Sequence, residues 1–285
     1  MRVLDDLSVG RSEYLAGLDV QLVKGSVESS DTVTEALQNQ DIVVHLAAVS
    51  GVPVSIADPV GTMKTNVVGT LNLLEASRHG SVKRLVLAST CGALFTGDTI
   101  PVHEGLPPCP SSPYGASKLA GEALCRSFNV SYGLETVALR FSNVYGPFLS
   151  HKSTAAAVFL YAARDRTPLN IYGDGSQSRD FVYVGDIVEA IVKAAEVPQA
   201  SGEFFHVGTG REISVLELAE TVKEVTGLKD LPVRFQEERP GDVARSLTLV
   251  DKARDVLGFS ARYTLAEGLK ETWDWVLNSP ALGVK

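Results

Sequence analysis

The sequence predicts an α/β fold in which a mostly parallel, doubly wound sheet is followed by a smaller mixed region. Over the first half of the 285 residues, short apolar and β-branched runs alternate with helical patterns, which is typical of repeated βαβ units. After about Phe148 the runs become shorter, and proline and glycine meet at 240–241. We therefore expect one domain over 1–148 and a second over 149–285, with segments near 169–196 packing back on the first sheet.

The composition is ordinary for a globular chain and excludes several classes of partner. Hydrophobic residues make up 45% of the chain, and the formal net charge is −8. An acidic balance disfavours a nucleic-acid or anionic-membrane surface, and no apolar run approaches the roughly 20 residues of a membrane span. The three cysteines are scattered, with no Cys/His cluster. We therefore predict no disulfide framework, no metal site and a reducing, cytoplasmic location.

Five strands and three helices are predicted in the first domain. The strands are expected at 2–5, 20–24, 42–47, 84–88 and 136–140, and the helices at 31–38, 59–79 and 113–132. The last two helices each begin with a capping residue followed by proline and end before a glycine. Proline suits the first helical position, and glycine suits the residue after a helix.

Shorter elements are predicted in the second domain. A helix near 154–164 is followed by strands at 169–172, 180–183 and 203–207. Two capping boxes, Ser214-x-x-Glu217 and Thr264-x-x-Glu267, predict the starts of two further helices.

An acidic pair, Asp5 and Asp6, directly follows the first predicted strand and leads into a turn through Ser8 and Gly10. In dinucleotide-binding folds, an acid at the end of the second strand bonds the adenosine ribose and favours NAD over NADP. A glycine-rich phosphate loop then precedes it by about 20 residues. The later sequence beginning at Gly208 lacks the third glycine and lies too far downstream. By themselves, the two aspartates would also suit a surface turn.

Tyr114 and Lys118 are four residues apart on a predicted helix, so their side chains share one helical face. A nearby ammonium lowers a tyrosine pKa and suits it to act as a general base, although an exposed helix face has the same spacing. Ser89 and Thr90 end a predicted strand, where side chains face a ligand crevice or cap a turn. The combination, with about two dozen residues between Thr90 and Tyr114, is more specific than either part.

Eight motifs, in this order, resemble those of the extended short-chain dehydrogenase/reductases: VLDDLSVG, VVHLAA, TNVVGTLNLLEA, SPYGASK, LRFSNVYGP, LNIYGDGSQSRDFVYVGDIVEA, FHVGTG and RPGDV. The resemblance is to the NAD-dependent epimerase/dehydratase family and covers nearly the whole chain. It implies a Rossmann-like fold, an NAD cofactor, a nucleotide-sugar substrate (a UDP-sugar first of all) and a 4-epimerase reaction. It also implies a homodimer formed through helices 59–79 and 113–132.

The resemblance assigns roles to individual residues. Tyr114 would be the catalytic base, Lys118 its helper, and Thr90 the hydroxyl that bonds the substrate oxygen. Besides Tyr114 and Lys118, the residues implied in NAD binding are Asp5, Asp6, Ser8, Gly10, Ser26, Val27, Leu46, Ala47, Ala48, Val49 and Asn66. Besides Thr90, the residues implied in binding the nucleotide sugar are Asn143, Asn170, Ile171, Tyr172, Arg179, Arg239 and Asp242.

The implied reaction moves a hydride from the sugar to NAD while Tyr114 removes the hydroxyl proton; the keto-sugar turns over and the hydride returns. Cys91 and Gly92 follow Thr90, where related 4,6-dehydratases have an acidic pair and decarboxylases have a glutamate. Their absence favours an epimerase over a dehydratase or decarboxylase. A one-residue ambiguity leaves open whether Cys91 occupies the hydroxyl position instead of Thr90.

The first strand and glycine-rich loop of the family are not found in the sequence. We expect Met1 to be an internal methionine of a longer protein, so that the sequence begins inside the first βαβ unit. The alternative is a shortened, non-catalytic form that binds nucleotide sugar but holds NAD poorly. Because the family's first strand is central, the strand at 2–5 should pair in parallel with 20–24 and not with 42–47.

Overall fold

The structure, a computed structural model, describes residues 1–95, 100–148, 154–238 and 243–278. The chain divides into two compact units, each discontinuous in sequence. Unit 1 consists of Met1–Thr96, Leu106–Arg140 and Ile191–Phe205, and unit 2 of Gly97–Gly105, Phe141–Ala190 and His206–Lys285. The expected division into functional domains at residue 148 stays a prediction.

In the first half of the chain the strands are separated by helices, whereas in the second half several short strands follow one another. The strands are β1 (Arg2–Asp5), β2 (Gln21–Lys24), β3 (Ile42–His45), β4 (Arg84–Thr90), β5 (Glu135–Phe141), β6 (Asn143–Tyr145), β7 (Leu169–Tyr172), β8 (Ser178–Arg179), β9 (Phe181–Tyr183), β10 (Phe204–Val207), β11 (Ile213–Ser214) and β12 (Val233–Gln236). The helices are α1 (Ser30–Ala36), α2 (Val52–Ala57), α3 (Pro59–Met63), α4 (Gly69–His79), α5 (Pro113–Tyr132), α6 (Ala155–Arg164), α7 (Val184–Glu196), α8 (Val215–Thr226), α9 (Asp251–Leu257) and α10 (Leu265–Asn278).

The main sheet has four strands in the order β10-β5-β4-β3. β3 and β4 pair in parallel, with Ile42 opposite Arg84. The interior residues of β4 and β5 are almost continuously apolar and buried, as in Leu85, Leu87 and Leu139, because helices cover both faces of such a sheet. Parallel pairing with intervening helices confirms the predicted α/β fold class.

A separate two-stranded sheet joins β1 and β2 in parallel, with Arg2 opposite Gln21 and Asp5 opposite Lys24. This confirms the predicted pairing. β3 is the last strand of the four-stranded sheet and does not pair with β1 among the described residues, which is also as predicted. The Arg2 guanidinium donates to the carbonyl oxygens of Glu35, Ala36 and Gln38 at the end of α1, so a cation satisfies the free carbonyls of that helix.

The prediction of one continuous helix over 59–79 is wrong, because the segment is divided into three parts. The structure has α3, then a π-helical turn at Lys64–Val68, then α4, and the unpredicted helix α2 comes before them. In a π-turn the backbone hydrogen bonds span five residues instead of four, and the segment Lys64–Val68 contains no proline or glycine that would mark this change in the sequence. The helix predicted over 113–132 is confirmed as α5, with the Ser112 hydroxyl accepting from Gly115 N and left-handed Gly133 following its end.

The described part of unit 2 contains three small sheets. β6 pairs with β9 and β7 with β12 in parallel, whereas β8 pairs with β11 in antiparallel orientation. Both predicted helix starts are confirmed. Thr264 and Glu267 form the complete box, with Thr264 N donating to Glu267 Oε2 at 2.8 Å and Glu267 N donating to Thr264 Oγ1 at 3.3 Å. At the start of α8, Ser214 Oγ accepts from Glu217 N at 3.0 Å, which is one half of the box. Among the described helices, none is both long and apolar enough to cross a bilayer.

Candidate functional site

The carboxyl end of β4 presents one hydroxyl between two inward-facing side chains. Ser89 Oγ donates to Glu122 at 2.5 Å, and the buried Cys91 thiol donates to the Arg140 carbonyl at 2.9 Å. Thr90 lies between them, half-buried, and its side chain has no hydrogen bond within the described residues. This geometry favours Thr90 over Cys91 as the residue that offers a hydroxyl to a ligand.

Tyr114 and Lys118 lie in the first turns of α5, as the spacing predicts. The Lys118 Nζ is 5.9 Å from the centre of the Tyr114 ring and donates to the Ala88 carbonyl at 3.0 Å. Burial raises the pKa of Tyr114 above its ordinary value. The expected lowering of this pKa by Lys118 is therefore wrong, because desolvation of the phenolate dominates.

A close backbone approach fixes the start of α5. A Cβ atom built on Gly115 would overlap the Ala93 carbonyl and contact Pro110 at 2.9 Å. Only glycine fits there, so the loop after β4 and the first turn of α5 meet directly. This contact brings the strand end that carries Thr90 towards the helix start that carries Tyr114.

Asn66 in the π-turn joins the loop after β3 to α5. Its Oδ1 accepts from Val49 N at 2.8 Å, and its Nδ2 donates to Val49 O at 3.0 Å and to Ser117 Oγ at 2.9 Å. The Ser117 hydroxyl donates to the Tyr114 carbonyl at 2.7 Å. The predicted cofactor residues Val49 and Asn66 therefore lie together beside α5, as part of one polar network.

His45 at the end of β3 belongs to the same network, and sequence reasoning missed it. The Thr70 hydroxyl donates its proton to Asn66 O at 2.6 Å, so it accepts from His45 Nε2, which lies 2.9 Å away. Burial, and secondarily the charge of Lys118, lowers the pKa of His45 to about 3. The imidazole is neutral at physiological pH. Its position in the motif VVHLAA was the available signal.

The acidic pair lies at the carboxyl end of β1. Asp5 Oδ1 accepts from Leu7 N at 2.7 Å, and Asp6 Oδ1 accepts from Ser8 N at 2.9 Å; hydrogen bonds from Ser8 lower the pKa of Asp6. A Cβ on Gly10 would lie 3.1 Å from both Asp5 carboxyl oxygens. This tight turn holds a half-buried carboxylate at the strand end, an acceptor that fits the hydroxyls of a ribose.

The remaining cofactor residues differ in what they can offer. Leu46 and Ala47 are exposed, whereas the Val27 side chain is in the core and its carbonyl accepts from Asn72. The Ser26 hydroxyl accepts from Glu28 N at 3.1 Å. A glycine-rich phosphate loop does not follow β1 or β3 in the described part of unit 1.

In unit 2, the predicted substrate residues lie on β6, β7 and β8. Asn170 is exposed, Tyr172 is half-buried, and Ile171 is completely buried in the core of the unit. The Ile171 side chain is therefore not available for the predicted contact with a nucleotide base, which only its backbone could make. Arg179 Nη1 donates to the carbonyls of Ser178 and Val243. Arg239 and Asp242 lie outside the described residues.

A buried carboxylate, Asp180, organises these segments and was not predicted. Its side chain accepts from the amide and hydroxyl of Thr209 and from Gly210 N, while burial raises its pKa. Its carbonyl accepts from Asn143 N at 2.9 Å. Asp180 therefore fixes the backbone on which two predicted substrate residues, Asn143 and Arg179, are carried.

A second unpredicted pair is buried in unit 1. Arg140 on β5 and Glu122 on α5 form two parallel hydrogen bonds of 2.9 and 2.7 Å. The interval of four residues from Tyr114 through Lys118 to Glu122 places Glu122 on the same helical face, but the sequence does not show that it pairs with Arg140.

Comparison with known proteins identifies the family. The model of the NAD dependent epimerase/dehydratase family matches residues 2–208. The UDP-glucose 4-epimerase of Mycolicibacterium smegmatis is 37% identical over 283 residues, covering 96% of this chain and 90% of that protein. Proteins named dTDP-glucose 4,6-dehydratase are also among the relatives.

Solved structures give the same result. The UDP-glucose 4-epimerase of Thermotoga maritima with UDP-glucose is similar with a TM-score of 0.91 and 35% identity, over 97% of this chain and 90% of that one. The UDP-glucose 4-epimerase of Thermus thermophilus in complex with NAD has a TM-score of 0.89 and 34% identity, over 98% and 91% of the two chains. The resemblance, the Rossmann-type fold and an NAD-dependent family are thereby confirmed.

Proposed function

We infer that this chain, which belongs to the NAD-dependent epimerase/dehydratase family, interconverts UDP-hexoses that differ in configuration at C4. The observation that carries the proposal is the arrangement around β4 and α5: Thr90 offers a hydroxyl at the strand end, and Lys118 is seated over the ring of Tyr114. The names of the relatives in M. smegmatis and T. maritima support the UDP-sugar and the 4-epimerase reaction.

The cofactor proposed is NAD. The Asp5 carboxylate would bond the adenosine ribose, with Asp6, Ser8 and Gly10 forming the adjoining turn. Leu46 to Val49, held by Asn66, would lie along the pyrophosphate and the nicotinamide ribose. Bound NAD would supply the hydride acceptor, a nicotinamide ring that carries a positive charge.

Tyr114 would transfer the proton. As the phenolate, its oxygen takes the proton from the sugar hydroxyl as the hydride leaves, and the phenol so formed returns that proton when the hydride comes back to the opposite face. A positive charge favours the phenolate, so Lys118 supports the base form against the desolvation that raises the pKa of Tyr114. Thr90 would hold the same sugar oxygen by a hydrogen bond, which fixes the distance for proton transfer.

The nucleotide diphosphate is proposed to bind residues of unit 2. Both Arg179 and Asn143 are held in place, because Arg179 Nη1 donates to the Ser178 carbonyl and Asn143 N donates to the Asp180 carbonyl. Guanidinium groups suit phosphate because of their two-pronged geometry. Asn170 and Tyr172 would flank the base. Arg239 and Asp242 are assigned to phosphate and ribose on the motif alone.

A dehydratase or decarboxylase is the weaker assignment. Elimination and decarboxylation in this family rely on a carboxylate beside the catalytic hydroxyl, where this chain has Cys91 and Gly92. The Cys91 thiol is directed into the protein and bonds the Arg140 carbonyl. The epimerase reaction needs no further acid at this position, so the local geometry favours it.

A homodimer is proposed through the helices of 59–79 and 113–132. Val60, Val68 and Val130 are exposed there at 63%, 45% and 68%, whereas Met63 and Leu119 are half-buried. Sedimentation of the purified protein tests the proposal: a monomer at micromolar concentration would contradict it.

The function is tested by incubating the purified protein with NAD and a panel of UDP-hexoses, with products identified by NMR. Conversion of UDP-glucose to UDP-galactose supports the proposal. Calorimetry separates the alternative, because a non-catalytic form binds UDP-glucose without binding NAD and without turnover. A 4-keto-6-deoxy product would instead identify a dehydratase.

A further inference from the structure

The last residues of β4 are held by α5 and β5 at three points around Thr90. The Ala88 carbonyl accepts from Lys118 Nζ at 3.0 Å, and Ser89 Oγ donates to Glu122 Oε1 at 2.5 Å. Just past Thr90, the Cys91 thiol donates to the Arg140 carbonyl at 2.9 Å. The segment that carries the Thr90 hydroxyl is thus fixed on both sides.

Glu122 is held in turn by Arg140. The guanidinium donates two hydrogen bonds to the carboxylate, Nε to Oε1 at 2.9 Å and Nη2 to Oε2 at 2.7 Å, and the Arg140 and Glu122 side chains are only 2% and 6% exposed. The guanidinium also lies 4.1 Å from the ring centre of Phe204. A two-pronged contact closed off from water resists sliding and rotation, so it defines where α5 sits along the sheet.

The spacing along α5 connects this pair to the catalytic tyrosine. Tyr114, Lys118 and Glu122 lie on one helical face, one turn apart. Lys118 and Glu122 contact adjacent residues of β4, Ala88 and Ser89. A shift of α5 relative to β4 would therefore break both contacts and would move the Tyr114 hydroxyl with respect to Thr90.

We propose that Ser89, Glu122 and Arg140 form a positioning network that sets the place of α5 on β4, and with it the separation of the Tyr114 and Thr90 hydroxyls. None of the three touches the substrate in this proposal; they act through Tyr114, Lys118 and Thr90. The proposal rests on the epimerase function inferred above, because the two hydroxyls are given a catalytic role there.

Ser89→Ala is the main test, because it removes one hydroxyl and leaves the ion pair intact. A misplacement of about 1 Å is enough to reduce turnover strongly, so we expect kcat to fall about tenfold with KM for the UDP-sugar changed less than about twofold. Arg84→Lys is the matched control. Arg84 lies at the other end of β4 and bonds Glu135 on β5 and the carbonyls of residues 194, 195 and 197, so this variant loses stability but should retain kcat.

A double-variant cycle separates positioning from general loosening. If Ser89 acts through Glu122, the Ser89→Ala/Glu122→Gln double variant has the same kcat as Glu122→Gln alone. Additive losses in kcat would contradict the network. Should Glu122→Gln not fold, Ser89→Ala and its control decide the question without it.

A readout independent of turnover completes the test. The ionisation of Tyr114 is obtained by subtracting the ultraviolet titration of the matching Tyr114→Phe variant. Because burial raises the pKa of Tyr114, loosening α5 in Ser89→Ala should lower that pKa towards its ordinary value, while Arg84→Lys should leave it unchanged. Equal titrations and equal kcat in wild type and Ser89→Ala would overturn the proposal. If the wild type epimerises no UDP-sugar, the proposed function fails and the titration alone decides the network.

Discussion

The two sheets of unit 1 differ in how firmly they are held. In the four-stranded sheet, β4 and β5 are almost entirely buried, and their ends are fixed by Lys118, Glu122 and Arg140. In the two-stranded sheet, no residue of β1 or β2 is fully buried. The Arg2 guanidinium connects this sheet to α1 by donating to the Ala36 carbonyl at the end of that helix.

This difference matches the two tasks of the proposed reaction, which are the transfer of hydride and proton and the binding of the cofactor. Hydride and proton transfer need atoms placed to within a fraction of an ångström, and the residues proposed for them lie on the buried strand β4 and on α5, which packs against it. Binding the adenosine ribose needs only that a carboxylate be present at the strand end, and Asp5 meets this on a half-buried strand. The comparison predicts that substitutions in the main sheet affect turnover and stability, whereas those in the β1–β2 sheet affect cofactor affinity.

The largest effect is expected for Tyr114→Phe, which removes the proton-transferring hydroxyl and keeps the ring. A lost general base lowers kcat by about 10²–10⁴-fold, measured by NMR of UDP-sugar turnover, with UDP-glucose binding unchanged. Tyr132→Phe at the exposed end of the same helix is the control and should leave kcat unaltered. A Tyr114→Phe enzyme within tenfold of wild type would exclude this tyrosine as the base.

The second prediction compares how much the free energy of unfolding falls when a leucine is shortened in each sheet. Leu85 on β4 is completely buried, so Leu85→Ala should lower the free energy of unfolding by about 2–5 kcal/mol. Leu22 on β2 is half-buried, and Leu22→Ala should cost less than about 1.5 kcal/mol. Urea denaturation of both variants provides the measurement, and equal losses would remove the contrast drawn between the sheets.

Substitution of the aspartates at the carboxyl end of β1 should weaken NAD binding. Asp5→Ala removes a charged acceptor, and losing such hydrogen bonds should weaken NAD binding by about 10–100-fold in calorimetry. Asp6→Ala should have a smaller effect because that side chain is exposed and already bonded to Ser8. The reverse order of the two variants would mean that Asp6, and not Asp5, meets the ribose.

The smallest effect concerns pH. Burial lowers the pKa of His45 to about 3, whereas in the unfolded chain it titrates near its ordinary value of about 6.5. Below that pH the unfolded state binds the extra proton, so stability is lost as the pH falls from about 6.5 towards 3. Between pH 7 and pH 5, the wild type should lose about 2 kcal/mol more than His45→Gln in urea unfolding. Parallel pH profiles would show that His45 is accessible to protons in the folded state.

The sequence predicted those features that depend on local pattern. The capping proline and terminal glycine defined α5 to the residue, and the four-residue interval placed Tyr114 and Lys118 on one face. The π-turn at Lys64–Val68 was missed because no proline or glycine in this segment marks the change in hydrogen bonding.

Partners that depend on tertiary contacts were also missed. Glu122 and Arg140 come from different elements and meet only when α5 packs on the sheet. The same holds for His45 and Thr70, and for the burial that raises the pKa of Tyr114.

The central claim is that hydride leaves C4 of the sugar and returns to the same sugar in one turnover. UDP-glucose carrying deuterium at C4 tests it directly, with the UDP-galactose formed by the purified protein and NAD analysed by mass spectrometry. If the hydride returns to the same sugar, the UDP-galactose formed retains the deuterium. Product that has lost its deuterium to solvent, or the absence of product from protein that binds both NAD and UDP-glucose, would contradict it.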